Sequence, residues 1–178
     1  MIVAIDQSLS RTGVALYLGD VAFDQSISRN NVVLCHKYEI SFFSIPTTKK
    51  GFRRNMDRIE YITYKLIEKL TDLNVLYCTK DIVFESYLYN SGFRTYQNFD
   101  VIELVGAIKI IFLQKLDYRG AEFCDVNCST WKKHVTGNGK SNKKEYTQKI
   151  KELGYNVGNE DEAAAVGILL TYLEKGKK

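Results

Sequence analysis

Two short apolar runs each stop at an acidic residue, and this pattern limits the possible folds more than any other feature of the chain. Ile2-Val3-Ala4-Ile5 runs into Asp6, and Ile82-Val83-Phe84 runs into Glu85. Both read as buried strands. Catalytic groups often lie at the carboxyl ends of strands, because the ends of a sheet form a crevice while its middle is filled. Should these two strands be neighbours, Asp6 and Glu85 meet.

The remaining elements fit around them. Residues 13–18 alternate and read as a second strand, and residues 31–43 as a third, long one with Val33 and Cys35 inward. Short connections make these first three strands an antiparallel meander. A polar, basic loop over 45–51 precedes Phe52, Met56, Ile59, Ile62, Leu66 and Leu70, whose three- and four-residue steps predict an amphipathic helix of about 20 residues. After the strand ending at Glu85, residues 87–95 read as a loop. A long helix follows with Val101, Leu104, Val105, Ile108, Ile111 and Phe112 inward. Gly106 inside it costs about 1 kcal/mol of helix propensity, which suggests close packing against another element. A strand over 121–126, a short helix over 131–135 and a loop over 136–142 come next. Asn142 is placed to cap a helix over 143–153 that ends at Gly154, and a last helix spans 160–174. The order predicts a single α/β domain over 1–178, with three antiparallel strands, then parallel strands, and flanking helices.

Charge adds a partner. The net charge of +4 is unevenly spread. Between 131 and 151 lie Lys132, Lys133, Lys140, Lys143, Lys144, Lys149 and Lys151, opposed only by Glu145; Lys49, Lys50, Arg53 and Arg54 form a second cluster. Two basic patches on one small domain suit a polyanion such as nucleic acid. There is no apolar run of eighteen, hence no membrane span, and the first residues lack the pattern of a signal peptide, so a cytoplasmic protein is expected. Cys35, Cys78, Cys124 and Cys128 form no CxxC pair and are not spaced with His36 or His134 as zinc ligands, which predicts reduced thiols.

Two further carboxylates, Asp161 and Glu162, fall in the first turn of the last helix. The helix dipole favours them there, so capping alone explains them. Were they to converge with Asp6 and Glu85, the four could not share a pocket as anions without cations. Oxygen-only ligands select magnesium or manganese, and two such ions are the usual machinery of phosphodiester hydrolysis.

Four segments, in order, carry a family resemblance. Asp6-Gln-Ser-Leu-Ser10-Arg11-Thr12-Gly13 is the first. Phe84-Glu85-Ser86-Tyr87-Leu88 with Leu104-Val105-Gly106-Ala107 is the second. Trp131-Lys132-Lys133-His134-Val135-Thr136-Gly137-Asn138-Gly139 with Lys143-Lys144-Glu145 is the third, and Asp161-Glu162-Ala163-Ala164-Ala165 the fourth. Together they resemble the RuvC-type Holliday junction resolvases of phages, within the ribonuclease H-like superfamily.

The resemblance implies a structure-selective endonuclease that nicks branched DNA, above all Holliday junctions, in phage recombination and debranching. It implies Mg2+ (with Mn2+ able to substitute), two ions per site, held by Asp6, Glu85, Asp161 and Glu162, with Lys143 as a catalytic phosphate contact. Lys132, Lys133, Lys140, Lys144, Arg94 and the loop residues Tyr87, Leu88 and Tyr89 are implied to touch DNA. Gly137 and Gly139 either let the backbone approach DNA or make a turn, and Trp131 is expected in the core. A homodimer is implied, without a branch-migration partner. The family usually places two acids three apart on the last helix, whereas position 164 is Ala164. A shifted alignment puts Asn159 and Glu162 in the two places, and Glu160 is a further candidate. A one-residue change rotates a side chain by about 100° around a helix, so the sequence leaves this open. The departure also leaves open a non-catalytic branched-DNA-binding protein with a degenerate site. A broader fork or flap nuclease of the same fold is the nearest enzymatic alternative.

Overall fold

The structure, a computed structural model, describes residues 1–19, 32–35, 38–47, 52, 54–86, 96–116 and 121–176. Its elements run β1 (Ile2–Asp6), β2 (Arg11–Tyr17), β3 (Val32–Cys35), β4 (Tyr38–Pro46), α1 (Asn55–Asp72), β5 (Asp81–Ser86), α2 (Tyr96–Lys115), β6 (Glu122–Asn127), α3 (Cys128–Thr136), α4 (Lys143–Glu152) and α5 (Glu160–Lys175). Six strands form one sheet in the order β3-β4-β2-β1-β5-β6. β1, β2, β4 and β3 pair antiparallel, and β1, β5 and β6 pair parallel. This is the mixed α/β arrangement expected of a ribonuclease H-like fold, with β1 and β5 as direct neighbours.

Strand alternation divides the core in two. Val3, Ile5, Val14, Leu16, Ile82 and Phe84 face α1 and α2, where Ile59, Ile62, Leu66, Leu70, Leu104, Ile108 and Phe112 cover them. The other face presents Ala4, Ala15, Phe42 and Val83 to α5, with Trp131, Val135, Tyr146 and Ile150 of α3 and α4 packed behind. The residues of α5 from Ala163 through Tyr172 are all buried. Small side chains make that possible: a Cβ at Gly167 would stand 2.8 Å from the Trp131 ring. Trp131 is a core residue, 1% exposed.

Several expectations change. The single long strand over 31–43 is two strands, β3 and β4, paired antiparallel with Cys35 opposite Tyr38. Carried on from Val33 and Cys35, period two would turn Lys37, Glu39 and Ser41 inward, whereas β4 buries Ile40 and Phe42, so the alternation changes phase between the two arms. Helix α1 begins at Asn55, and Met56, expected inward, is 59% exposed. Helix α3 begins three residues earlier than expected, capped by the Asn127 side chain, which accepts from Ser129 N–H. Asn142 does cap α4, in a reciprocal pair with Glu145. Gly106 has no described neighbour within 4 Å of where its Cβ would be, contrary to the close packing expected. It lies on an exposed apolar side of α2 with Phe99, Ile102 and Ile110. Cys78, Cys124 and Cys128 are free thiols. No helix among the described residues is long and apolar enough to cross a membrane.

Candidate active site

Register brings four side-chain positions into one row across the sheet. Asp6 lies opposite Gly13 and Gly13 opposite Ser44. On the other side the β1–β5 ladder ends at Ile5 and Phe84, and Glu85 is the next residue. Period-two alternation puts the whole row on the face of Ala4, Ala15, Phe42 and Val83, the face that α5 covers. The first turn of α5 therefore sits over Asp6.

Its three consecutive acids take three directions, as the helical step requires. Asn159 caps α5, its Oδ1 accepting from the N–H of Asp161 at 3.1 Å and of Glu162 at 3.0 Å. Glu160 pairs with Lys143 Nζ at 3.0 Å. Glu162 turns to β4: Ser44 Oγ donates to its Oε1 at 2.9 Å, and Gly158 N–H donates to its Oε2 at 2.8 Å. Asn159 Nδ2 donates to the same Ser44 hydroxyl at 3.0 Å. Asp161 lies near enough to Asp6 for its charge to raise that carboxyl, after burial and Glu85. Ala164, one of the positions where the resemblance implied an acid, is buried in the core.

Asp6 keeps some solvent-accessible surface, yet its carboxyl lies deep among protein atoms, and the depth governs its charge. Burial holds that carboxyl well above the usual carboxylate range. The charges of Glu85 and Asp161 and a hydrogen bond with Glu85 push the same way, against Lys143. Burial also raises Asp161, while Lys143 and Arg11 pull it down and Glu160 and Glu162 raise it. Lys143 is raised first by its bond to Glu160, then by the charges of Glu160, Asp161 and Asp6. The Tyr146 hydroxyl is pushed up by burial and then by Asp6, Glu160, Asp161 and Glu85, so it too borders the cluster.

Glu85 is held from both sides. Gln7, 1% exposed, donates from Nε2 to the Glu85 carbonyl at 2.7 Å and accepts at Oε1 from the Glu85 N–H at 3.3 Å. Cys128, at the start of α3, is pushed up to about 11 by burial and by its hydrogen bond with Glu85, with Lys132 acting the other way. Lys132 also lies over the Trp131 and Tyr146 rings, at 5.6 and 5.7 Å from their centroids. The turn after Asp6 is fixed from below. Thr12 Oγ1 donates to the Ser8 carbonyl at 2.9 Å, Thr47 N–H to the Ser10 carbonyl at 2.9 Å, and the Thr47 hydroxyl and Arg58 guanidinium both donate to the Leu9 carbonyl.

Asp6, Glu85, Asp161 and Lys143 are thus brought to one end of the sheet, and Glu162 sits beside them on its own partners. Lys133, Lys140 and Lys144 are exposed, and Lys132 is half-buried beside Cys128. Gly137 is the left-handed C-cap of α3 at φ 79°, and a Cβ at Gly139 would stand 2.9 Å from the Ser129 carbonyl oxygen, so both glycines serve the turn. Tyr87, Leu88, Tyr89 and Arg94 lie outside the described residues. Gln7, Arg11, Ser44, Cys128 and Tyr146 were not singled out by the sequence. Their roles depend on contacts with residues distant in the chain, and only register could have exposed Ser44.

The donor chemistry suits a hard divalent cation. Asp6, Glu85 and Asp161 offer only oxygen, and the burial and then the neighbouring acids that raise Asp6 both oppose a charge that a cation would favour. Among the described residues, no three His, Cys, Asp or Glu side chains are drawn close enough to cage an ion as they stand.

No family model matches the sequence, and no curated protein matches it. Solved structures do match. Thermus thermophilus RuvC aligns with a TM-score of 0.65 at 14% identity, covering 99% of this chain and 96% of that one. The Fowlpox virus resolvase, solved with its substrate Holliday junction DNA, aligns with a TM-score of 0.52 at 15% identity, covering 99% and 100%. The yeast mitochondrial Holliday junction resolvase Ydc2 aligns with a TM-score of 0.51 at 14% identity, covering 97% and 77%. At such identities the likeness shows the fold, which is the ribonuclease H-like fold shared by these resolvases.

Proposed function

We propose that this chain is a structure-selective DNA endonuclease that nicks branched DNA, and Holliday junctions in particular, by divalent-metal-dependent hydrolysis of a phosphodiester. The observation behind the reading is the convergence of Asp6, Glu85 and Asp161 beneath Lys143 on a ribonuclease H-like sheet. The fold shared with three junction resolvases supports the substrate class.

Asp6, Glu85 and Asp161 would hold the ions, magnesium by preference, with manganese able to replace it. When bound, a pair of such ions supplies the acidified water and the neutralising charge that phosphodiester hydrolysis needs. The chain's own groups do the rest. Asp6 supplies carboxylate oxygen from the end of β1, and Glu85 the same from β5. Asp161 closes the site from α5, whose N-terminal dipole favours a negative charge there. Lys143 exchanges Glu160 for a phosphate oxygen and neutralises charge that grows on the phosphorus centre. Arg11 stands as a second cation on the Asp161 side. Glu162, with both oxygens satisfied by Ser44 and Gly158, fixes the start of α5 and so serves the site through Asp161; it would join the ions only by leaving those partners. Lys132, Lys133, Lys140 and Lys144 would track the DNA backbone, with salt-sensitive affinity. Arg94, Tyr87, Leu88 and Tyr89 belong to the same proposal on sequence resemblance alone, as does the setting in phage recombination and debranching.

The active species we propose is a homodimer, because two sites related by a two-fold axis can nick opposed strands of a junction. The uncovered side of α2, with Phe99, Ile102 and Ile110 exposed around Gly106, supports a second copy docking there.

One experiment tests the reading. A labelled four-way junction, a fork and a linear duplex of matched sequence are incubated with wild type and Asp6→Asn, with and without magnesium. Paired, magnesium-dependent nicks in the junction that vanish in the variant are expected, and cutting in the fork lane measures strictness. Binding without cleavage of any substrate in magnesium or manganese would favour the second reading, a branched-DNA-binding protein, for which the buried Ala164 at a usual acidic position is the motivating observation.

A further inference from the structure

We infer that Gln7 is a positioning residue for Glu85: its side-chain amide continues the β1–β5 ladder one step past its end and locks the backbone that presents the Glu85 carboxylate. The inference rests on the reading of Asp6, Glu85 and Asp161 as a metal centre, and adds a residue that touches neither ion nor substrate.

The geometry is specific. The parallel ladder between β1 and β5 stops at Ile5 and Phe84. In a parallel strand the N–H and C=O of one residue point to the same side. Those of Glu85 both point towards β1, because both meet Gln7. The paired register of the two strands has ended there, although β1 itself runs one residue further, to Asp6. The Gln7 amide offers one donor and one acceptor in a fixed plane, the same complement as a peptide group. It is almost fully buried, so neither bond is exchanged for water.

Glu85 needs such a lock for an electrostatic reason. Its carboxylate faces Asp6, to which it is hydrogen-bonded, and Asp161 acts on the same group. Once the proton shared by Asp6 and Glu85 leaves, repulsion between the carboxylates would push the end of β5 outward, and β6, in register with Glu85 at Val126, restrains only the far side. Gln7 restrains the near side and is covalently next to Asp6. One residue therefore fixes the spacing between the two strand-end carboxylates, which is the spacing a shared cation must match. Supporting groups of this kind typically change metal affinity by about 10- to 100-fold when removed. Methionine has nearly the same length and volume without either bond, so Gln7→Met isolates the polar contribution.

Manganese binding to the protein alone, followed by calorimetry, is the first readout, with junction affinity in EDTA as the control. Gln7→Met is expected to weaken manganese affinity by about tenfold or more and to leave metal-free junction binding unchanged. A lower melting temperature with unchanged manganese affinity would mean a structural role only, and would overturn the inference while the metal-centre reading stands. No manganese binding by wild type would overturn both. Should Gln7→Met not fold, amide exchange in the wild type decides. Protection of the Glu85 N–H comparable with that of Val83 supports the lock, and exchange at the rate of an open strand end overturns it.

Discussion

Gly13 lies directly against the backbone of Asp161: a Cβ at position 13 would stand 2.0 Å from the Asp161 carbonyl oxygen. No side chain can occupy that space while α5 keeps its place, because the obstacle is main chain. Gly13→Ala is therefore expected to lift the first turn of α5 off the sheet and carry Asp161 away from Asp6. Overpacking of this kind costs about 1–3 kcal/mol. Denaturant unfolding measures that loss, and junction cleavage is expected to fall much further than stability does. Wild-type cleavage by the variant would show that Asp161 is not needed at this position.

Asp6 gives the chain a pH dependence with a definite sign. The folded protein holds the Asp6 proton more tightly than the unfolded chain, whose carboxyl titrates near 3.8. The stability tied to that proton is full below the ordinary value, is lost as pH rises through the raised folded value, and stays lost above it. Metal-free Asp6→Asn is expected to melt above wild type at neutral pH, and to flatten that part of the wild-type dependence. Magnesium should raise the wild-type melting temperature and leave the variant's nearly unchanged. Thermal melts from pH 4 to pH 8, with and without the ion, provide the comparison. Cleavage should vanish in Asp6→Asn while junction binding persists.

Ser44 ties β4 to the start of α5 through Glu162 and Asn159. Ser44→Ala removes both bonds and is expected to cost about 1–3 kcal/mol, since one acceptor is charged. If Glu162 serves by fixing the helix start, Glu162→Gln, which can still accept from Ser44, should retain more cleavage than Ser44→Ala. The opposite order would assign Glu162 to the ions themselves.

The open side of α2 makes separate predictions for two neighbouring positions. Gly106→Ala, with free space around it, is expected to stabilise the fold by about 0.5–1 kcal/mol through helix propensity, provided the partner leaves room for a methyl group. Ile110→Glu is expected to give a monomer in light scattering, with single nicks in place of paired ones. A variant that remains dimeric would move the interface elsewhere.

The pair Asp6 and Glu85 was legible because two apolar runs each ended in an acid, and alternation then fixed the face they share. The cap of α4 was legible for a similar local reason, Asn142 and Glu145 lying three residues apart. The locks on the site were not. Gln7 bonds to a backbone 78 positions away, and Ser44 to a carboxylate 118 away, so no local pattern encodes either. The division of residues 31–43 into two strands escaped because Val32, Val33 and Leu34 are apolar in both phases, which hides the change of phase between the arms. Gly106 was misjudged because a glycine within a helix signals either a close neighbour or an open surface with equal force. At the start of α5, Lys143 sets the direction of Glu160 and Ser44 that of Glu162, and neither partner is near in sequence.

The unbroken burial of α5 from Ala163 to Tyr172 has a mechanical consequence. A helix with a free face can shift to absorb a poorly fitting neighbour, whereas this one is gripped by the sheet on one side and by α3 and α4 on the other. A disturbance anywhere along its length, such as a bulkier residue at Gly167 levering against Trp131, is transmitted along the axis to Asp161. Damage deep in the core thus reaches the acid cluster as a displacement of one carboxylate, before any strand has separated.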